Sequence, residues 1–258
     1  MKKSICIEKI FLEVDFYDRF KCVRDAGFDY VEFWSWESKD LKKINELCKQ
    51  YNLKIASISG DKLYSPIIFE ERQLYLDYLA RSIEAAKFMN VKFLVIHSNA
   101  INEFGKISNP ANDISYTKKV VTLTSTLIEA AKMAEESDVV LVIESLNTFT
   151  QPGNFLTRTE DSGDIVNVIN SPNLKILYDI WHMQQMEGNI VYYLTKYSNV
   201  LGYIHIADNP GRHEPGTGEI NFDIVKRTLD ELDYDGFFGF ELVPTSTSKK
   251  AAASIKLF

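Results

Sequence analysis

Short runs of apolar residues alternate with longer amphipathic stretches eight times along the chain. The runs cover residues 4–7, 30–33, 54–58, 93–97, 139–144, 175–179, 202–206 and 237–241. They are rich in β-branched and aromatic side chains, which fit a pleated surface. Several, such as FLVIH, VVLVIE and KILYD, are almost wholly apolar, as expected of strands covered on both faces by helices. The amphipathic stretches between them include 69–89, 116–136, 157–170 and 222–232, each patterned as a helix with one buried face. Ser38 and Asp164 are candidate helix N-caps, and Gly27 and Gly60 mark turns.

Regular alternation of strand and helix predicts a parallel sheet. Eight repeats within 258 residues favour closure, because a (β/α)8 barrel takes about 250 residues. An open, doubly wound sheet would carry a glycine-rich phosphate turn after an early strand, and the chain has neither GxGxxG nor a P-loop. No linker, low-complexity segment or long run of one charge divides it. The expected fold is α/β, a single (β/α)8 TIM barrel over residues 1–258.

Composition narrows the partners. A formal charge of −7, with 45% apolar and 25% charged residues, describes an ordinary globular protein. It lacks the basic balance of a nucleic-acid surface. Cys6, Cys22 and Cys48 are odd in number and form no CxxC pair, so they read as small hydrophobes in a reducing compartment. Glu8 and Lys9 interrupt the apolar stretch after Lys2 and Lys3, which leaves no signal-peptide core. No window reaches the ~20 apolar residues of a membrane helix. A cytoplasmic enzyme acting on a small molecule is expected, without a nucleic-acid or membrane partner; a homo-oligomer stays open.

Polar residues gather at the strand ends, where a barrel of this type carries its active site. His97, His182 and His205 close or follow apolar strands, and His213 lies just past the seventh. Glu144 ends VVLVIE, Asp179 ends KILYD and Glu241 ends FFGFE. A carboxylate finishing a buried strand is costly unless it is paired, hydrogen-bonded or metal-bound. Glu144, Asp179, His205 and Glu241 come from successive strands, so their side chains can converge. Three oxygen donors and one imidazole suit Mn2+, Mg2+ or Co2+ better than a calcium cage or a thiolate zinc site would. Pairing of these carboxylates with Lys or Arg is the alternative.

The neighbouring residues keep two readings each. His97 is a core histidine or faces the substrate; His182 is a solvent-loop histidine or a substrate contact. Glu32 bonds the substrate or a partner inside the barrel. Trp34 and Trp36 wall the pocket or pack at its rim, while Tyr203 and Phe238 read as structural. The segment 208–222, DNPGRHEPGTGEINF, is too rich in Pro and Gly for a helix. Gly211, Gly216 and Gly218 permit tight turns that project Arg212, His213, Glu214 and Glu219 over the barrel mouth. The Arg212 fork matches a substrate carboxylate or vicinal oxygens, or else it pairs with Glu214 or Glu219.

These stretches resemble the xylose isomerase-like TIM barrel superfamily and, within it, the hydroxypyruvate isomerase family. The likeness is carried by DAGFDYVEF (25–33), IES (143–145), YDIWHMQQMEGNI (178–190), HIADNPGRHEPGTGEINF (205–222) and the strand ending at Glu241. It implies that Glu144, Asp179, His205 and Glu241 hold one divalent metal ion. It also implies that Glu144 and Glu241 are the catalytic acid–base pair, and that His182 and Arg212 contact substrate oxygens. The chain departs from hydroxypyruvate isomerases in three places. His205 stands where they tend to have Gln and where ketose epimerases have His; the loop SGDKLYSP is shorter; and Val243 replaces a lysine.

The reaction so implied is a proton shift through an enediolate, with a metal ion stabilising the developing charge. Return of the proton to the neighbouring carbon of a short hydroxy-oxo acid or sugar gives aldose–ketose isomerisation. Its return to the opposite face of the same carbon gives epimerisation, so a ketose or ketose-phosphate 3-epimerase is the alternative. An inosose dehydratase-like lyase, a non-catalytic metal-binding barrel and an abasic-site endonuclease stand further off. The trinuclear zinc site of the endonuclease needs a histidine after strand three and an aspartate before Arg-His, where this chain has SISGD and Gly211.

Overall fold

The computed structural model describes residues 1–102 and 105–258. Its strands are β1 (Lys2–Cys6), β2 (Tyr30–Phe33), β3 (Lys54–Ser59), β4 (Phe93–Ile96), β5 (Val140–Glu144), β6 (Leu174–Asp179), β7 (Leu201–Ile206) and β8 (Phe237–Phe240). They pair in chain order, all in parallel, and β8 returns to β1 to close the barrel. Around it lie α1 (Arg19–Asp25), α2 (Leu41–Tyr51), α3 (Arg72–Met89), α4 (Tyr116–Glu135), α5 (Thr159–Ile169), α6 (Ile180–Met186), α7 (Ile190–Lys196), α8 (Phe222–Glu231) and α9 (Ser248–Leu257). Each apolar run therefore overlaps a strand, with bounds that differ by one or two residues; Ile7, His97 and Glu241 fall one position past their strands.

The two-residue period of the strands sorts their side chains into two apolar layers. Leu141, Ile143, Ile176 and Ile204 point outward and join the main core beneath the helices. Ala56, Val95, Val140, Val142, Leu177 and Tyr203 form a separate inner cluster, against which Tyr30, Phe93 and Phe237 pack. Tyr203 and Phe237 stack there with their planes 12° apart. The barrel is thus filled at its N-terminal end and middle. Two residues beyond Val142, Leu177 and Tyr203 come Glu144, Asp179 and His205, one step nearer the C-terminal mouth on the same inner face.

Local signals account for most helix ends, with two corrections. Asp40, not Ser38, caps α2, its side chain accepting from Lys43 N at 3.1 Å; Ser38 lies in the preceding turn. Asp164 lies inside α5, which starts after Arg158, and its carboxylate accepts from the Tyr197 hydroxyl at 2.9 Å. A cap must sit in extended backbone just before the first turn, and neither residue does. Gly27 follows α1 at φ +84°, a conformation that favours glycine. Gly60 answers to packing instead, since a Cβ there would lie 3.0 Å from Leu94 Cβ.

Candidate active site

Glu144 ends β5, Asp179 ends β6, His205 lies in β7 and Glu241 follows β8. All four are buried, and one ligand atom from each lies within 4.8 Å of the others. His205 is the hub: its Nδ1 is 3.6 Å from Glu144 Oε1, 3.8 Å from Asp179 Oδ2 and 3.5 Å from Glu241 Oε2. The register explains the convergence, because His205 is level with Asp179 on one side and Gly239 on the other. Glu241 lies two residues past Gly239, one step nearer the mouth.

This donor set fits a divalent cation. Glu144 Oε1 and both His205 nitrogens are buried and make no hydrogen bond among the described residues. A carboxylate oxygen and an imidazole nitrogen left facing each other, with two more carboxylates beside them, match the preferences of one hard or borderline ion. Charge points the same way. Glu144, Asp179 and Glu241 crowd the mouth against the fixed positive charge of Arg212. Burial drives the Asp179 carboxyl up to about 7 despite the Arg212 charge beside it. Burial would also raise Glu144, but the His205 and His97 imidazoles beside it outweigh burial and hold its carboxyl well below the usual range.

Three further groups close on the cluster. Arg212 Nη2 donates to Asp179 Oδ2 at 2.9 Å and to Glu241 Oε2 at 2.5 Å, while its guanidinium lies 4.5 Å over the Trp181 ring. His182 is a buried residue of α6, not a solvent-loop residue, because Asp179 both ends β6 and caps α6 by accepting from His182 N at 2.9 Å. Its Nδ1 accepts from Asn147 N at 2.8 Å, which leaves the ring proton on Nε2, 3.9 Å from Asp179 Oδ2. Burial and the Arg212 charge hold this imidazole well below its ordinary pKa, hence neutral. His97 Nε2 is 3.3 Å from Glu144 Oε2, and its Nδ1 is 2.9 Å from Asp61 Oδ1. Burial opposes its charge, but the Asp61 carboxylate prevails and raises it to about 10.

A profile of the xylose isomerase-like TIM barrel family matches residues 20–258. The chain belongs to that family. Hydroxypyruvate isomerase of Escherichia coli (strain K12) is 33% identical over 256 residues, spanning 96% of this chain and 96% of the relative. The 2-oxo-tetronate isomerase of Pectobacterium atrosepticum is 26% identical over 248 residues, 92% of this chain and 90% of the relative. Among solved structures, AP endonuclease, family 2 from Brucella melitensis covers 100% of this chain and 98% of its own, at a TM-score of 0.90 and 23% identity. That likeness establishes the fold and leaves the chemistry to the site.

In this xylose isomerase-like barrel the glycine-rich segment is organised from below. Asp208 is buried, and its carboxylate accepts from the backbone N–H of Asn209, Gly216, Gly218 and Ile220 at 2.8–3.1 Å. Glu214 does not project over the mouth: it is buried and accepts from Thr245 N at 3.2 Å. Glu219 accepts from Gln184 and Asn209. Arg212 pairs with neither, since both carboxylates are turned to these partners and Asp179 and Glu241 stand nearer. His213 stays outside the cluster, its Nδ1 2.7 Å from the Val243 carbonyl. Trp34 donates to Glu241 Oε1 at 2.9 Å, whereas Trp36 donates to Ser82 Oγ on α3, at the rim. Glu32 lies beneath His205, its Oε1 3.4 Å from Nε2.

The strand pattern missed Asp61, Asn147 and Asp208. Asp61 and Asn147 lie two and three residues past β3 and β5, beyond the last position that alternation controls. Asp208 carried the one usable signal, an aspartate opening a Pro/Gly-rich turn segment.

Proposed function

We propose that this chain is an isomerase that shifts a proton between adjacent carbons of a short hydroxy-oxo acid. One divalent ion would be held by Glu144, Asp179, His205 and Glu241, with Mn2+, Mg2+ and Co2+ the best matches. When bound, the ion supplies Lewis-acid stabilisation of charge developing on the substrate oxygens. The observation that carries the proposal is the placing of two glutamates across one donor cluster. β5 and β8 are separated by β6 and β7, so Glu144 and Glu241 approach from different sides. One removes the C–H proton to give an enediolate, and the other delivers a proton to the neighbouring carbon. The neutral His182 presents Nε2–H to a substrate oxygen. Arg212 holds Asp179 and Glu241 through Nη2 and turns its remaining amino group to a substrate carboxylate or hydroxyl.

The hydroxy-oxo acid is supported by the names of the two isomerase relatives. Val243, half exposed after β8, brings no cation to the mouth, and this favours a second reading, 3-epimerisation of a neutral ketose. A screen of short oxo-acids, ketoses and ketose phosphates with Mn2+ in D2O separates them. Deuterium should enter next to the carbonyl of a short hydroxy-oxo acid and fall by a factor of roughly 100 or more in Glu144→Gln and Glu241→Gln. Undiminished exchange in both variants overturns the acid–base assignment, and exchange with ketoses alone selects the epimerase.

A further inference from the structure

The sequence YVEF places Glu32 on the inner face of β2, two residues past Tyr30. The residue is 3% exposed, and among the described residues its carboxylate has no Lys or Arg partner. A buried carboxylate so placed is unfavourable unless other groups hold it. Tyr203 donates its hydroxyl to Oε2. The remaining oxygen, Oε1, lies 3.4 Å from His205 Nε2. Gly239 makes the arrangement possible: a Cβ there would lie 2.6 and 2.7 Å from the two carboxylate oxygens and 2.8 Å from His205 Cδ2. Glycine weakens a strand interior, so its place in β8 has a reason in this approach.

An imidazole ligates a metal only through a nitrogen without a proton, and a carboxylate at the other nitrogen settles which one that is. In His205, Nδ1 faces Glu144, Asp179 and Glu241, and Nε2 faces Glu32. We infer that Glu32, oriented by Tyr203 and given room by Gly239, is a positioning residue that keeps the His205 proton on Nε2 and turns the Nδ1 lone pair toward the metal. Glu32 lies on the far side of the imidazole from the cluster, so it acts through His205. The inference rests on the metal-binding reading of the four-residue site.

Calorimetric titration of the metal-freed full chain with Mn2+ tests it. Glu32→Gln should lower affinity by about tenfold to a hundredfold, with the circular dichroism of the metal-free protein unchanged. Nitrogen NMR of the Zn2+-loaded, 15N-histidine-labelled unaltered protein gives a second readout that needs no folded Glu32 variant. The chain has four histidines, and His205→Gln identifies the relevant signals. A protonated Nε2 with a metal-bound Nδ1 is expected. Equal affinities for the variant and the unaltered protein, or the opposite pattern of protonation, overturn the inference. An unaltered protein that takes up no metal overturns the metal reading itself, and the inference with it.

Discussion

Each glutamate of the proposed acid–base pair gives one oxygen to the cluster and has the other held by a ring. Trp34 Nε1 holds Glu241 Oε1 at 2.9 Å, and His97 Nε2 lies 3.3 Å from Glu144 Oε2. A hydrogen bond to a charged group contributes about 1.5–3 kcal/mol. Trp34→Phe should therefore lower turnover roughly tenfold while substrate binding changes little, a split that steady-state kinetics resolves. His182 carries a pH prediction. Its folded pKa lies below its unfolded value, so the unfolded chain takes up a proton that the native state refuses. Stability from this residue is present above pH ~6.5 and declines below it by about 1.4 kcal/mol per pH unit. Urea titrations between pH 7 and 5 should show a shallower acid limb for His182→Gln; parallel limbs would mean that the folded imidazole does protonate.

Among the connecting segments, the one after β7 gathers its backbone around one side chain. Four backbone N–H groups converge on Asp208, and Arg212 rides on the loop they define. An asparagine has the same shape but turns an NH2 toward two of those donors. Asp208→Asn should cost about 3 kcal/mol, a fall in Tm of roughly 6–12 °C at this chain length. Activity should drop with it, because the Arg212 contacts to Asp179 and Glu241 loosen. A variant with unchanged Tm and turnover would show that the loop is held elsewhere, for instance by Glu214 on Thr245.

Over the whole molecule, the barrel gathers four buried carboxylates at one point around His205. Arg212 answers two of them, Asp179 and Glu241, and a bound cation would offset the repulsion among the rest. Metal binding to the native state alone should add about 2.7 kcal/mol at a hundredfold excess over Kd. A thermal shift of roughly 5–10 °C is expected with Mn2+, Mg2+ or Co2+, reversed by a chelator. No shift with any of the three would count against the site as a cation centre. Among the described residues, no helix is long and apolar enough to cross a membrane.

Much of this was legible in the linear chain. Short apolar runs separated by helical stretches point to a parallel sheet, and eight of them suffice to close it. The two-residue strand period puts Glu144, Asp179 and His205 on the inner face at the strand ends, where a charged side chain needs a partner. The remaining assignments depend on contacts that no periodicity encodes. Asp61 reaches His97 only because β3 and β4 are neighbours, and Asn147 meets His182 only because β6 passes directly into α6. Arg212 finds Asp179 and Glu241, not the nearer-in-sequence Glu214 and Glu219, because Asp208 shapes the loop beneath it. Glu32 meets His205 through space left by Gly239, which lies two strands from Glu32 around the closed barrel. The barrel and the level of the site both follow from backbone period, so they are written in the linear chain. Who faces whom across the mouth is set by closure, register and turns, which bring together residues far apart in the chain.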